Sequence, residues 1–305
     1  MNDPIRRRRA LGAMIGGGAM IRGEFLSGGA ASSWQPSPPT RRKGNIRHSV
    51  SAWCYARLFD PGKDKAAIMS FEDFCRECAR IGLESVELLA ANRWEAVRKA
   101  GLICAMCNGP DRIDYGWNRV EHHQDLLDRF EKAIPEVAAN GFPNIITFSG
   151  NRRGMSNEEG LENCVQGLKK LVPIAEKNRV TVILELLNSK VNHKDYMADH
   201  TSWGAEVCRR VGSERLKLLY DIYHMQIMEG DLIRNIRENI SWIGHFHTGG
   251  NPGRNEIDES QEIFYPAVMK AIVETGYKGF VGQEFVPRRE DLLASLRQSI
   301  DICDV

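Results

Sequence analysis

Thr181-Val182-Ile183-Leu184-Glu185-Leu186-Leu187 is an almost wholly apolar run carrying a single carboxylate. Hydrophobicity that is near-continuous over so short a stretch suits a parallel strand covered on both faces. A helical pattern, Leu161–Asn178, precedes it, and a polar loop and a second helical pattern, Ser202–Val211, follow. The same succession repeats outward in both directions. Apolar runs fall at Ile46–Cys54, Ser85–Leu89, Ile103–Asn108, Ile145–Ser149, Leu216–Ile222, Trp242–Thr248 and Phe280–Val286. Further helical patterns span Phe71–Ile81, Val120–Asn140, Asp231–Asn239, Tyr265–Thr275 and Glu290–Cys303. Ser70 reads as the N-cap of the first, with Asp73 in its first turn. Eight strand candidates alternating with helices predict a (β/α)₈, or TIM, barrel as a single domain over 46–305. That length meets the about 250 residues such a barrel takes. A doubly wound open sheet is the competitor. It is disfavoured because no Gly-x-Gly-x-x-Gly turn follows an early strand, and Gly16-Gly17-Gly18 has no strand before it.

Composition narrows the partners. Basic and acidic residues number 41 and 40, a balance that argues against a nucleic-acid binder. Cys75-x-x-Cys78 and Cys104-x-x-Cys107 raise the question of zinc. Strand alternation would send Cys104 and Cys107 to opposite faces, so buried free thiols are expected. Ahead of the barrel, Arg6-Arg7-Arg8-Arg9 precedes an uncharged Gly/Ala/Met stretch and a small-residue run ending at Ser33. Residues 1–33 therefore resemble a twin-arginine export signal, with a disordered basic tail or an early start codon as the alternatives. The stretch is too short and glycine-rich for a stable membrane span. Export would place the protein in the periplasm; a tail that is no signal would leave it in the cytoplasm. Residues 34–45, with three prolines, read as a linker.

Reactive groups of such barrels lie at the carboxyl ends of the strands. Four polar residues occur there on consecutive strands, at what reads as one level: Glu185, Asp221, His247 and Glu284. Buried unpaired, each carboxylate would be costly. Converging on one point, the four groups make sense if a cation neutralises them. Three carboxylates and an imidazole form a mostly hard ligand set, which favours Mn²⁺ or Mg²⁺, with Co²⁺ as a third candidate. Two octahedral positions stay free for neighbouring oxygens of a hydroxy-carbonyl compound. The ion would then polarise the carbonyl and stabilise an enediolate as a proton leaves the next carbon. His245, two residues before His247, also faces inward, as a supporting group or a core histidine.

Asp221-x-x-His224, His247, the loop Thr248-Gly249-Gly250-Asn251-Pro252-Gly253-Arg254 and Gly282-Gln283-Glu284 resemble the xylose-isomerase-like TIM barrels. In pattern they are nearest to hydroxypyruvate isomerase and the ketose 3-epimerases. The resemblance runs from Ile46 to Arg289 and is strong from Thr181 onward. Earlier, only the rhythm and Asn108-Gly109-Pro110 match. It implies that Glu185, Asp221, His247 and Glu284 bind the metal, with Glu185 and Glu284 also the acid/base pair on opposite faces of the substrate. It implies further that His224 hydrogen-bonds a substrate oxygen and that Arg254 contacts the substrate's far end. Asn108 joins the candidate substrate contacts, as does Lys194 in Lys190-Val191-Asn192-His193-Lys194, a segment that binds an anionic group or is a solvated loop. Arg152-Arg153 is a similar candidate, and Trp53 and Trp117 are candidates to wall the pocket. Two positions depart from the pattern. Bacterial hydroxypyruvate isomerases resemble one another in carrying glutamine in place of His247, and Val191 stands near where sugar epimerases place an acidic residue.

The expected function is metal-dependent isomerisation or epimerisation of hydroxypyruvate, a ketose or a related sugar, with a homo-oligomer compatible and no nucleic-acid partner. Three rivals remain. Endonuclease IV resembles this barrel but builds a three-zinc cluster from extra histidines on early strands, where this chain offers Cys54, Leu89, Asn108 and Ser149. An inosose-dehydratase-like lyase would use the same ligands to expel a hydroxyl. A silent carbohydrate-binding barrel would have no need of both Glu185 and Glu284.

Overall fold

Seven parallel strands form one sheet in the order β2-β1-β7-β6-β5-β4-β3. They are β1 Arg47–Ser51, β2 Ser85–Glu87, β3 Asn144–Thr147, β4 Thr181–Leu186, β5 Leu216–Asp221, β6 Ile243–Thr248 and β7 Phe280–Gln283. The computed structural model describes residues 38–62 and 66–305. The signal-like segment 1–33 and the start of the linker lie outside the described residues.

The expected third strand is not regular, yet it closes the ring. Val86 and Leu88 N–H donate to the carbonyls of Ile103 (3.1 Å) and Met106 (2.9 Å) on one side. On the other, Cys107 N–H donates to Asn144 O and Ile146 N–H to Cys107 O, both at 3.0 Å. Between these contacts side chains replace the ladder. Ala105 N–H donates to Ser85 Oγ, and Asn144 Nδ2 donates to Ala105 O. The barrel thus has eight staves, of which 103–108 is held partly by side chains.

Helices cover the outside: α1 Phe71–Ile81, α2 Trp94–Lys99, α3 His123–Ala139, α4 Asn157–Asn178, α5 Thr201–Val211, α6 Ile222–Met228, α7 Leu232–Asn239, α8 Tyr265–Glu274 and α9 Leu292–Cys303. The expected cap of α1 is present: Ser70 Oγ accepts from Asp73 N–H at 3.0 Å. At its other end Gly82 adopts φ +96°, open to glycine without strain. Short α2 and α6 were not anticipated. Part of the expected linker is docked, with Arg42 Nε donating to Ile81 O and Asn45 Nδ2 to Val305 O. All eight cysteines are buried free thiols. Among the described residues, no helix is long and apolar enough to cross a membrane.

Strand alternation sorts the core into two parts. Met106, Ile146, Ile183 and Leu219 fill the barrel interior, while Val182, Leu184, Leu218, Tyr220 and Phe246 face the helices. Ile183 and Leu219 point inward, so Glu185 and Asp221, two residues on, also point inward, directly above this plug. The level is not shared, however. Glu185 pairs with Leu219, Asp221 with His247, and His247 with Gly282. Asp221 and Glu284 each stand two residues higher than a flat reading assumes, and the tilt and stagger of barrel strands bring them together.

Candidate active site

Glu185 is the penultimate residue of β4, Asp221 ends β5, His247 lies on β6 and Glu284 follows β7. Each offers one ligand atom, and these four atoms lie within 4.8 Å of one another. All four side chains are buried. Asp221 also caps α6: its Oδ1 accepts from His224 N–H at 3.1 Å, which places His224 on the first helical turn rather than in a loop. Glu284 Oε1 accepts from Trp53 Nε1 at 2.8 Å, and Oε2 accepts from Arg254 Nη2 at 2.6 Å.

His247 decides how the cluster can be used. Its Nε2 is committed to Glu87 Oε1 at 2.8 Å. Its Nδ1 is buried and has no hydrogen-bond partner, although Glu284 Oε2 lies 2.8 Å away and Glu185 Oε1 3.8 Å away. A buried ring nitrogen facing carboxylate oxygens without a hydrogen bond is what a shared cation would satisfy. The residues present fit a divalent metal.

Charge in the cluster is unevenly held. Burial, opposed by the neighbouring His247 imidazole and aided by the charge of Glu284, pushes Glu185 up to about 7. Burial, opposed by Arg254 and aided by Glu284, pushes Asp221 up to about 6. Burial would raise Glu284 too, but His247 and Arg254 hold it well below the carboxylate range. Although burial disfavours its charged form, the charge of Glu284 and the nearness of the Glu185 and Glu284 carboxylates raise His247 well above the histidine range. Burial and Arg254 keep His224 well below it, hence neutral.

The cluster opens into a cleft of about 590 Å³. Glu185, Glu284, Trp53, His193 and Arg254 line it on one side, and Asn108, Gly109, Asp111, Ile146 and Phe148 on the other. Residues 75–303 match the family described as xylose isomerase-like TIM barrel. The chain belongs to that family. A human protein provisionally named hydroxypyruvate isomerase is 30% identical over 215 residues, covering 67% of this chain and 76% of its own. A solved structure of 3-keto-D-glucoside 4-epimerase from E. coli superposes with a TM-score of 0.67 at 21% identity, over 85% of this chain and 98% of that one. An AP endonuclease, family 2, from Brucella melitensis reaches 0.69 at 22% identity, over 87% and 99%. At such identities these two show a shared fold alone. The chain is an isomerase, the class that its relatives in sequence carry in their names.

Behind the four-residue cluster of this xylose isomerase-like barrel stands a residue that the sequence reading passed over. Glu87 Oε1 accepts from both His247 Nε2 and His245 Nε2 (3.0 Å), and its Oε2 accepts from Ser49 Oγ at 2.5 Å. Burial is outweighed by the two imidazoles, so Glu87 falls to about 2 and is ionised. It fixes the proton of His247 on Nε2 and leaves Nδ1 as the ligand atom. Gly282 makes room for this contact, because a Cβ there would lie 2.3 Å from Glu87 Oε1. Glu87, His245 and His247 are themselves close enough to be considered as a metal group. Both histidines already spend Nε2 on one oxygen of Glu87, so the trio reads as support for His247. Replacing Glu87 with alanine should weaken divalent-metal affinity about 10–100-fold, as seen by titration calorimetry, with partial recovery in Glu87→Gln.

The remaining candidates divide. Asn108 and Arg254 line the cleft, but Arg254 Nη2 reaches Glu284 and Asp221 (3.4 Å) rather than the far end of the pocket. His224 lies beside Asp221, its Nε2 3.7 Å from Oδ2. Lys194 is exposed and is not among the residues lining the cleft. Lys190 is turned away, its ammonium donating to the carbonyls of Ile227 and Met228. Arg152 is tied to Asp199. Trp53 walls the cleft, while Trp117 is core, packed on Phe130 with its Nε1 donating to Thr147.

Proposed function

We propose that this chain is a divalent-metal-dependent isomerase or epimerase of a small hydroxy-carbonyl compound, hydroxypyruvate or a ketose, acting by proton transfer between neighbouring carbons. The observation that carries this reading is the buried, unpartnered Nδ1 of His247 among three carboxylates. Glu185, Asp221, His247 and Glu284 would hold the ion, with Mn²⁺ or Mg²⁺ favoured by the oxygen-rich set and Co²⁺ a further candidate. When bound, that ion supplies polarisation of the carbonyl and balance for the charge that builds as a proton leaves.

The chain's own groups handle the proton. Glu284 is held ionised by His247 and Arg254, which suits a group that takes a proton. Glu185, whose proton affinity burial raises, is ionised when it holds the ion and would receive and return a proton on the other face of the substrate. Two carboxyls whose surroundings drive their proton affinities apart are the usual sign of an acid/base pair. Arg254 and neutral His224 lie beside the same oxygens and would orient the substrate. The hydroxy-carbonyl reading also agrees with the names of the relatives in sequence.

A panel of hydroxypyruvate, ketopentoses, ketohexoses and inososes with Mn²⁺, followed by proton NMR in D₂O, tests this. Deuterium entry at the carbon next to the carbonyl, with rearranged product, is expected for at least one member. No exchange with any of them would remove the assignment, and loss of water from an inosose alone would make the chain a lyase.

Metal binding should also depend on pH. Glu185 and Asp221 hold protons up to about pH 7 and 6, and a ligand must shed its proton to bind. Affinity should therefore rise with pH through this window, by up to about tenfold per pH unit for each proton displaced, and keep rising above it until His247, held well above the histidine range, has shed its Nδ1 proton. Calorimetry in buffers of different ionisation enthalpy should record net proton release at pH 6. Release of none would contradict the raised proton affinities.

A further inference from the structure

We propose that Asn188 is a positioning residue that fixes His224 as a neutral imidazole with its proton on Nε2, aimed as a hydrogen-bond donor at a substrate oxygen held beside Asp221. The substrate half of this inference rests on the function proposed above; the choice of tautomer does not.

Hydrogen-bond accounting leads to it. Asn188 follows β4 by two residues, and its side chain is fully buried. Its Oδ1 accepts from two backbone donors, Val191 N–H at 3.0 Å and Asn192 N–H at 2.9 Å. Backbone amides can only donate, so this atom must be the carbonyl oxygen and the amide cannot be turned round. The other end is then the NH₂ group, which has two protons to place. One goes to Asn192 Oδ1 at 2.8 Å, an oxygen that also accepts from Tyr223 OH. The second faces His224 Nδ1 at 2.5 Å. Because Asn188 donates there, Nδ1 must be the bare, accepting nitrogen. A neutral ring with a bare Nδ1 carries its proton on Nε2.

That Nε2–H has no partner. It is buried, and the carboxylate oxygen Asp221 Oδ2 lies 3.7 Å away, beyond hydrogen-bond reach. A fixed, unspent donor at the rim of the four-ligand cluster faces the place where an oxygen of the substrate would lie. Such a donor costs nothing to reorganise as negative charge grows on that oxygen, and a neutral imidazole keeps its proton while stabilising the charge. Asn188 thereby couples two tasks, because the same Oδ1 organises the turn that carries His193 over the cleft.

Asn188→Asp separates the tasks. The aspartate still accepts from the amides of Val191 and Asn192, but it presents an acceptor to His224. Long-range ¹H–¹⁵N correlation on the full chain labelled with ¹⁵N-histidine, assigned through loss of the signal in His224→Gln, reads the tautomer. The wild type should show protonated Nε2 and bare Nδ1, and Asn188→Asp should show a proton on Nδ1. At saturating Mn²⁺, kcat of the variant should fall about 10²–10³-fold, the loss seen when one charge-stabilising donor is removed. A wild type protonated on Nδ1 would overturn the proposal whatever the variant does. So would a variant with unchanged tautomer, or one whose loss is recovered by adding more metal. A correct tautomer with no turnover on any substrate of the panel would instead sink the proposed function and leave the orientation of His224 standing. Should Asn188→Asp fold poorly, Asn188→Ser keeps a short acceptor for the turn, and the imidazole is then expected to populate both tautomers.

Discussion

Glu185→Gln and Glu284→Gln should each lower exchange of the substrate's α-hydrogen with D₂O by about 10²–10⁴-fold, the span of a positioned general acid or base. Both side chains reach the cleft, and an amide of the same shape keeps its packing while losing the proton-accepting oxygen. The two variants should differ in a telling way. Glu284 receives hydrogen bonds from Trp53 and Arg254 and lies beside His247, so its amide leaves Arg254 and the imidazole without their carboxylate. Glu185→Gln disturbs fewer neighbours. Far-UV circular dichroism should be unchanged in both, and metal affinity should fall further in Glu284→Gln. Exchange at the wild-type rate in either variant would take that glutamate out of the proton transfer.

Chelation is the second large effect. Exhaustive treatment with EDTA should abolish turnover, and Mn²⁺ or Co²⁺ should restore it. Without an ion, three buried carboxylates depend on His247 and Arg254 for compensation, an arrangement in which desolvation is only partly repaid. Metal at 100 times its dissociation constant should therefore add about 2.7 kcal/mol of stability. For a domain of this size that is a rise of about 5 °C in Tm. Full activity after chelation, with no thermal shift on adding any divalent ion, would leave the cluster as a salt-bridge network.

The barrel was legible in the sequence because its strands are short apolar runs and its helices are amphipathic, two patterns with different periods. The four-residue cluster was legible because each member is a polar residue two positions beyond an inward-facing site. The same signal was present in Ser85-Val86-Glu87-Leu88-Leu89, where Glu87 is as conspicuous as Glu185 in its own run. It escaped notice because the strand was taken to end at Leu89. In the structure β2 stops at Glu87, and Leu88 turns aside with φ +55°. The helix after Asp221 was hidden for a related reason: Ile222-Tyr223-His224 continues an apolar run, and only the cap formed by Asp221 marks a change of element. Lys194 could not be judged from sequence, since a loop's composition does not say which way it faces. Nor could Asn188, whose meaning lies in the direction of four hydrogen bonds.

The stave stitched by Ser85 and Asn144 carries a part of the cleft separate from the four-residue cluster. Glu185, Asp221 and His247 belong to six-residue strands, whereas Asn108, Gly109 and Asp111 follow the patched one. Substitutions along this seam can reshape what the enzyme accepts without disturbing the atoms that perform the reaction.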